Sequence, residues 1–436
     1  MMEIKEVISK SLFVIGAGFS KPAGCKMSSE MLDDLRIHIQ KNDEKNRFNN
    51  IEKEALKFLL SSLSYHAEWR SIQSGGKFKF KQNIEELILL IRRIRDRENY
   101  LPYVVTGNWA DKLVQLETAF NSTVKENEYE NNNLFSSIEL KIKKDLLKGW
   151  LKFEESKFSY LEPLREFIEN YPNENFCLNI CSLNYDLILE KYFSEVCPWM
   201  GFSNGKWVGL ESAPSEKDEK RRINLYKLHG SLNWIRNTAG DIWEKEKWQN
   251  KKKEADIDEQ EEQYLENDPF IIFGQGVKTF SIEPFFSQMH HFKKLLKEKD
   301  YIFVIGYSFF DPYINNLLIT ATLSTSKKII IVNPEFGPKE NFSKSKSKDC
   351  NSKFGECYYP EYQKKVAEYI EEIQKNSFYS ELPEFNISYV KPDSLFYIQL
   401  KAEEFIKKYF SNKGNILRKL IEQFEQERKE VEKPFE

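Results

Sequence analysis

Short runs that are apolar almost throughout constrain this chain most. They are Leu12 to Gly16, Phe176 to Leu183, Ile223 to Leu228, Pro269 to Phe273, Tyr301 to Gly306, Lys328 to Val332 and Phe385 to Val390. A strand with one wet face alternates apolar and polar residues, whereas a strand covered on both faces does not. Helical patterns separate the runs, and strands of this kind joined by helices imply a parallel sheet with right-handed crossovers and helices on both faces. The expected class is therefore α/β.

Between the first run and the second the periodicity is helical. "NIEELILLIRRIRDREN", Asn83 to Asn99, is the clearest case, with Ile84, Leu87, Ile88, Ile91 and Ile94 recurring near i, i+3, i+4 and i+7. The expected organisation is one α/β domain over residues 1–410, carrying a large helical insertion at about 30–170, followed by a charged helix in 411–436. Residues 244–268 mix both charge signs and read as a solvated helix or loop. Residues 340–356 are rich in Ser, Lys and Asn and read as disordered.

Composition excludes several classes. The 436 residues carry a net charge of −3, so no global basic field recruits nucleic acid, and no sequence-specific nucleic-acid binding is expected. No apolar run approaches the roughly 20 residues of a membrane span. "SLFVIGAGFS" is short, interrupted by glycine and flanked by charge, so it reads as a first strand and not as a signal peptide. These features point to the cytoplasm and to no membrane association. The 6 cysteines lack paired Cys-x-x-Cys spacing, so no zinc or other metal site is expected, and they read as free thiols.

The chemistry-bearing residues follow the strands. In "FVIGAGFSKPAG" the turn Gly16-Ala17-Gly18, with Ser20 behind it, allows backbone to approach a phosphate ahead of a helix, although the full G-x-G-x-x-G spacing is absent. "SLNYD" places Asn184 and Asp186 at a strand end, where Asp186 can equally cap a helix. His229, in "YKLHGS", stands at another strand end and is a candidate general base, or a structural histidine. "VIGYSFFDP" repeats the pattern with Gly306 and Ser308, and there Asp311 reads as a helix cap. Asn333 ends the next strand as a turn residue or a ribose contact. Turns after parallel strands share one edge of the sheet, so these residues are expected to line a common cleft.

As an ordered set, these motifs resemble the sirtuin-like (silent-information-regulator-like) family, in its divergent bacterial branch tied to anti-phage defence. Gly16-Ala17-Gly18-Phe19-Ser20, Asn184-Tyr185-Asp186, Lys227-Leu228-His229-Gly230, Gly306-Tyr307-Ser308 and Asn333 carry the resemblance, together with "PFIIFGQGVK" and "IEPFFSQMHHFKKLL". It implies a Rossmann-like sheet. It also implies NAD as substrate, held by Gly16, Ala17, Gly18, Ser20, Asp186, Gly306, Ser308 and Asn333, with Asn184 and His229 as the catalytic pair. Deacylating sirtuins carry a zinc ribbon after the His-containing strand, and residues 235–268 contain no cysteine. Protein deacylation is therefore disfavoured.

The expected activity is an NAD glycohydrolase that releases nicotinamide and ADP-ribose and depletes NAD in abortive infection. ADP-ribosyl transfer and a non-catalytic NAD- or ADP-ribose-binding subunit are the alternatives. The resemblance further implies gating, through a homo-oligomer or through a separately encoded partner such as a HerA-type ATPase or a short Argonaute.

Overall fold

The computed structural model describes residues 3–41, 47–73, 82–96, 108–123, 133–171, 177–196, 198–211, 223–237, 239–247, 249–250, 269–273, 282–322, 327–334, 381–382, 387–391, 395–398 and 400–431. Among the described residues twelve strands are formed: β1 Ser11–Ile15, β2 Leu178–Ser182, β3 Phe202–Ser203, β4 Lys206–Trp207, β5 Ile223–Lys227, β6 Trp234–Arg236, β7 Ile242–Glu244, β8 Tyr301–Ile305, β9 Lys328–Val332, β10 Glu381–Leu382, β11 Ile387–Lys391 and β12 Leu395–Ile398. Eight of them make the main sheet, in the order β10-β11-β12-β9-β8-β1-β2-β5, and β3-β4-β7-β6 form a small second sheet. From β12 to β5 every pairing in the main sheet is parallel.

The strands are buried on both faces, as their uninterrupted apolar runs require. Phe13, Ile15, Ile180, Leu225, Phe303, Ile305, Ile330 and Val332 share one core with Phe405, Tyr409, Leu420 and Phe424 of the C-terminal helix Ala402–Val431 and with Phe167 of the helix Glu162–Glu169. The intervening residues Leu12, Val14, Cys181, Tyr226, Ile302, Val304, Ile329 and Ile331 pack on the opposite side. There they meet Met289, Phe292 and Leu295 of the helix Phe285–Glu298 and Ile314 and Leu318 of the helix Pro312–Thr322. Each large apolar side chain so covered contributes about 1.5–3 kcal/mol, so a one-residue register slip would exchange the two core-facing sets.

Two features differ from the expectation read off the strand runs. Pro269–Phe273 is no sheet strand: it makes an isolated antiparallel bridge, Gly230 to Ile271, and Ile272 N–H donates to the His229 carbonyl at 2.9 Å. At the far edge the sheet turns antiparallel, because β11 returns against β12, a strand that the pattern of apolar runs did not single out. β12 then joins β9 in parallel.

The described residues of the inserted region are mostly helical. The helix Ile84–Arg95 begins at a reciprocal cap, in which Asn83 Oδ1 accepts from Glu86 N–H at 3.0 Å and Glu86 Oε2 accepts from Asn83 N–H at 3.2 Å. Ile84, Leu87, Ile88, Ile91 and Ile94 are all fully buried, as their spacing predicts. At its other end Arg92 and Arg95 clasp Glu139 of the helix Leu134–Lys141, with contacts of 2.6–2.9 Å. The C-terminal helix breaks at Ser411–Gly414, yet Leu417, Leu420, Ile421 and Phe424 beyond the break remain in the main core.

No helix among the described residues is long and apolar enough to cross a membrane. Cys25, Cys177 and Cys181 are free thiols. The segments 251–268 and 340–356, read from the sequence as solvated and as disordered, lie outside the described residues.

Candidate functional site

Strand order creates the site. From β1 the chain builds outward through β2 and β5 on one side and through β8, β9 and β12 on the other, so β1 and β8 are neighbours at the point where the order reverses. Open α/β sheets hold ligands in the crevice beyond the carboxyl ends of the strands at such a point. The rim is held by backbone bonds that carry the ladder past the strand ends: Gly16 N–H to Ile305 O, Leu183 N–H to Ile15 O, Leu228 N–H to Ser182 O and Gly306 N–H to Val332 O, each 2.9–3.0 Å.

A cleft opens there, lined by Gly16, Ala17 and Ser20 after β1, Leu183 to Asp186 after β2, His229 after β5, and Tyr307, Ser308, Phe310 and Asp311 after β8. The helical insertion closes the other side with Asn83, Ile84 and Glu85, alongside Cys25, Met31 and Leu151. Residues distant in sequence thus share one cavity, and Asn184 and His229 face the same one.

The glycines serve the protein itself first. Gly18 N–H donates to the Gly306 carbonyl at 2.8 Å, and a Cβ on Gly18 would sit 2.8 Å from Gly306 Cα. Gly306 also has φ +63°, a conformation costly for any other residue. The turns after β1 and β8 therefore interlock backbone to backbone. The helix that follows Gly16 spans only Ala17–Ser20 before giving way to a 3₁₀ turn, and the longer helix begins at Ser28, where the helical pattern of the sequence begins.

Ser20 ties the polar residues together. Asn184 Nδ2 donates to the Gly16 carbonyl at 2.8 Å and to Ser20 Oγ at 3.0 Å, while Ser20 Oγ donates to Asp186 Oδ2 at 2.6 Å. Asp186 Oδ1 accepts from Ile188 N–H at 3.1 Å, so the residue braces the first turn of the short helix Ile188–Tyr192 from one position ahead of its N-cap, Leu187, and it lines the cleft.

His229 is buried and engaged at both ring nitrogens. Nδ1 lies 3.1 Å from the Leu183 carbonyl, and Nε2 lies 3.1 Å from Asp311 Oδ2. A carbonyl can only accept, so Nδ1 carries hydrogen, and an ionised Asp311 carboxylate likewise only accepts, so Nε2 becomes available to take a proton only when that contact is released. Asp311 also caps the next helix, as its sequence position suggested, with Oδ1 accepting from Tyr313 N–H at 2.9 Å. The Tyr307 hydroxyl donates to Asn315 Oδ1 at 2.9 Å and accepts from Asp311 N–H at 3.0 Å, which fixes this loop. Tyr185 lies beside His229 with ring centroids 6.2 Å apart, and its hydroxyl donates to the Ile272 carbonyl.

Beneath the cleft lies a buried cation. Lys227, 1% exposed, donates to the Asp186 carbonyl and pairs with Glu190 at 3.0 Å. Burial pushes the Glu190 carboxyl above its usual range, and Lys227 acts against that shift. The pair anchors the loop that carries Asn184 and Asp186 to the end of β5.

Of the residues singled out from sequence, Gly16, Ala17, Ser20, Asn184, Asp186, His229 and Ser308 line the cleft. Gly18 and Gly306 lie behind its wall, packed on each other, and Asn333 supports that wall by donating from Nδ2 to the Tyr307 carbonyl at 3.2 Å. The sequence reading missed Asn83, Glu85 and Phe273 as lining residues, Asp311 as the partner of His229, and Lys227 as a buried charge. The Asn83-Ile84-Glu85-Glu86 capping pattern was visible, but nothing local placed it over a strand edge. Among the described residues no group of three or more His, Cys, Asp or Glu side chains could hold a metal ion.

Residues 179–352 match the family model of the SIR2-like domain, so β1 with its glycine turn and the helical insertion lie outside the matched span. Among solved structures the chain is similar to Sir2Tm bound to a propionylated peptide, at 12% identity over 95% of this chain and 100% of that one, with a TM-score of 0.33. It is also similar to a Sir2 homolog–NAD complex, at 12% identity over 97% of this chain and 96% of that one, with a TM-score of 0.33. No curated protein shows significant similarity to this chain. At TM-scores this low the solved structures carry no weight in the assignment, which rests on the domain match. Residues 179–352 therefore carry a SIR2-like domain.

Proposed function

We propose that the protein is an NAD glycohydrolase: water adds to C1′ of the nicotinamide ribose, the bond from C1′ to the nicotinamide nitrogen breaks, and nicotinamide, ADP-ribose and a proton are released. The observation that carries this reading is the convergence of the Asn184 carboxamide and the His229 imidazole on one cleft at the switch point of a parallel sheet. Departure of nicotinamide leaves an oxocarbenium-like centre, which needs oriented polar groups and a trapped water. Asn184, pinned by Gly16 and Ser20, is pre-oriented for that task. His229, with its hydrogen on Nδ1, would take the proton of water or of a ribose hydroxyl at Nε2.

The contact between Nε2 and Asp311 supports a gated enzyme. In this arrangement the proton-accepting atom is occupied by a carboxylate of the β8 loop, so that loop must yield before substrate can use it. Assembly into an oligomer or binding of a partner protein would supply the trigger, as suits an activity that depletes NAD during phage infection.

Purified chain, alone and with the product of its neighbouring gene, is incubated with NAD and nicotinamide release is measured. Asn184→Ala and His229→Ala should each lower release by about 100-fold or more. Release from both variants at the wild-type rate overturns the assignment. Label transferred from NAD to protein, in place of free ADP-ribose, would move the reading to ADP-ribosyl transfer.

A further inference from the structure

The wall of the cleft opposite the strand turns is built by the helical insertion, and one of its side chains is incompletely satisfied. Asn83 is 2% exposed and lines the cleft, yet its Nδ2 has no hydrogen-bond partner. Buried amide groups without an acceptor are uncommon. Nor can the amide be turned over, because Oδ1 accepts the Glu86 N–H at 3.0 Å and a flip would set two hydrogens against a third. Nδ2 is therefore a fixed donor. Its position is fixed as well, since the 12-residue helix that it caps is clasped to the helix Leu134–Lys141 through Glu139.

The neighbouring residues narrow the class of acceptor. Glu85, two residues on, lines the same cleft with a carboxylate, and Glu86 adds a second negative charge in the same helical turn. A helix start would ordinarily attract phosphate, but two carboxylates there oppose it. Donor and acceptor side by side instead complement a group that presents an acceptor oxygen and donor hydrogens together, as a primary carboxamide does. The negative charge also suits a cationic ring.

We propose that Asn83 is a ligand-binding residue of the cleft, its Nδ2 donating to the carboxamide oxygen at the nicotinamide end of the dinucleotide while Glu85 accepts from the carboxamide nitrogen. The inference rests on the NAD reading above and adds to it a substrate contact made by the insertion, outside the residues matched by the SIR2-like domain. The insertion then contributes to specificity and not to packing alone.

The test uses equilibrium binding of NAD and of ADP-ribose to the full chain in a His229→Ala background, which keeps NAD intact. Asn83→Ser and Asn83→Asp both retain a capping oxygen, so the helix start survives, and the Ser variant adds no charge. ADP-ribose has every part of NAD except nicotinamide. Both variants should weaken NAD about tenfold while Asn83→Ser leaves ADP-ribose within about twofold, the size of effect expected for one lost hydrogen bond from a buried site. Equal weakening of both ligands by Asn83→Ser, which is what a merely structural role would produce, overturns the proposal. Unchanged NAD affinity in both variants also overturns it and leaves the NAD reading standing. A His229→Ala parent that binds neither ligand removes the NAD reading and this inference together.

Discussion

His229 Nε2 and Asp311 Oδ2 face each other at 3.1 Å, joining the turn after β5 to the turn after β8 across the mouth of the cleft. One carboxylate thereby caps a helix through Oδ1 and holds the candidate base through Oδ2. A side chain with both duties couples the position of the β8 loop to the availability of His229.

Replacing Asp311 by Ser keeps an oxygen able to cap the helix but withdraws the group that meets Nε2. If the contact restrains the enzyme, nicotinamide release by the unpartnered Asp311→Ser chain should rise about three- to tenfold, following the larger fraction of competent molecules. A fall in that rate would show that Asp311 assists His229 and does not restrain it.

Interlocking of the two glycine turns leaves no room for a methyl group. A Cβ on Gly306 would meet Phe19 N at 2.6 Å and the Gly18 carbonyl carbon at 2.7 Å, and the residue sits at φ +63°. Gly306→Ala should cost at least about 2 kcal/mol, from overpacking and backbone strain together. The measurement is the shift of the urea midpoint. Wild-type stability would mean that the turns separate freely.

Lys227 illustrates how costly it is to leave one buried charge alone. Lys227→Met strands Glu190 and removes a donor from the Asp186 carbonyl, so a loss of about 3–5 kcal/mol is expected. Adding Glu190→Gln should recover part of it, because the uncompensated carboxylate is then gone. A double variant no more stable than Lys227→Met would place the whole effect in the Asp186 contact.

His291 sets an acid limit on stability. Burial, with Lys294 adding to it, holds its imidazole below the usual histidine value while the ring stacks on Tyr226 at 4.7 Å. Glu298 and Glu211 pull the other way and His290 adds to the lowering. A depressed folded value means that the unfolded chain takes up the proton first. The associated stability is therefore present above about pH 6.5 and is lost as pH falls from there through the folded value. His291→Phe keeps a ring on Tyr226 and should lose less stability than wild type between pH 7.5 and 5.5. Equal losses would remove His291 as a source.

Much of the site was legible because its residues advertise themselves locally. Ser20, Asn184, Asp186 and His229 each follow an apolar run, and polar residues in that position stand at the rim of a parallel sheet. Gly18, Gly306 and Asn333 sit at the expected strand ends, yet they contact other backbone and not the cavity, a distinction of a few ångströms that no residue pattern encodes. Pro269–Phe273 read as a sheet strand because its residues are apolar, but it buries them by a bridge to Gly230 instead of a ladder.

By itself the amino-acid sequence determined which stretches are covered on both faces, which helix face of Ile84–Arg95 turns inward, and where the chain turns tightly. Those follow from hydrophobic periodicity and from the backbone demands of glycine, both of which act over a few residues. Strand order was decided only in three dimensions, and with it the meeting of Asp311 with His229, the locking of Gly18 against Gly306, and the placing of Asn83 across the cleft from Asn184. Such pairings depend on how whole faces of the sheet and of the inserted helices fit together. That fit is a property of the packed core and not of any local stretch of chain.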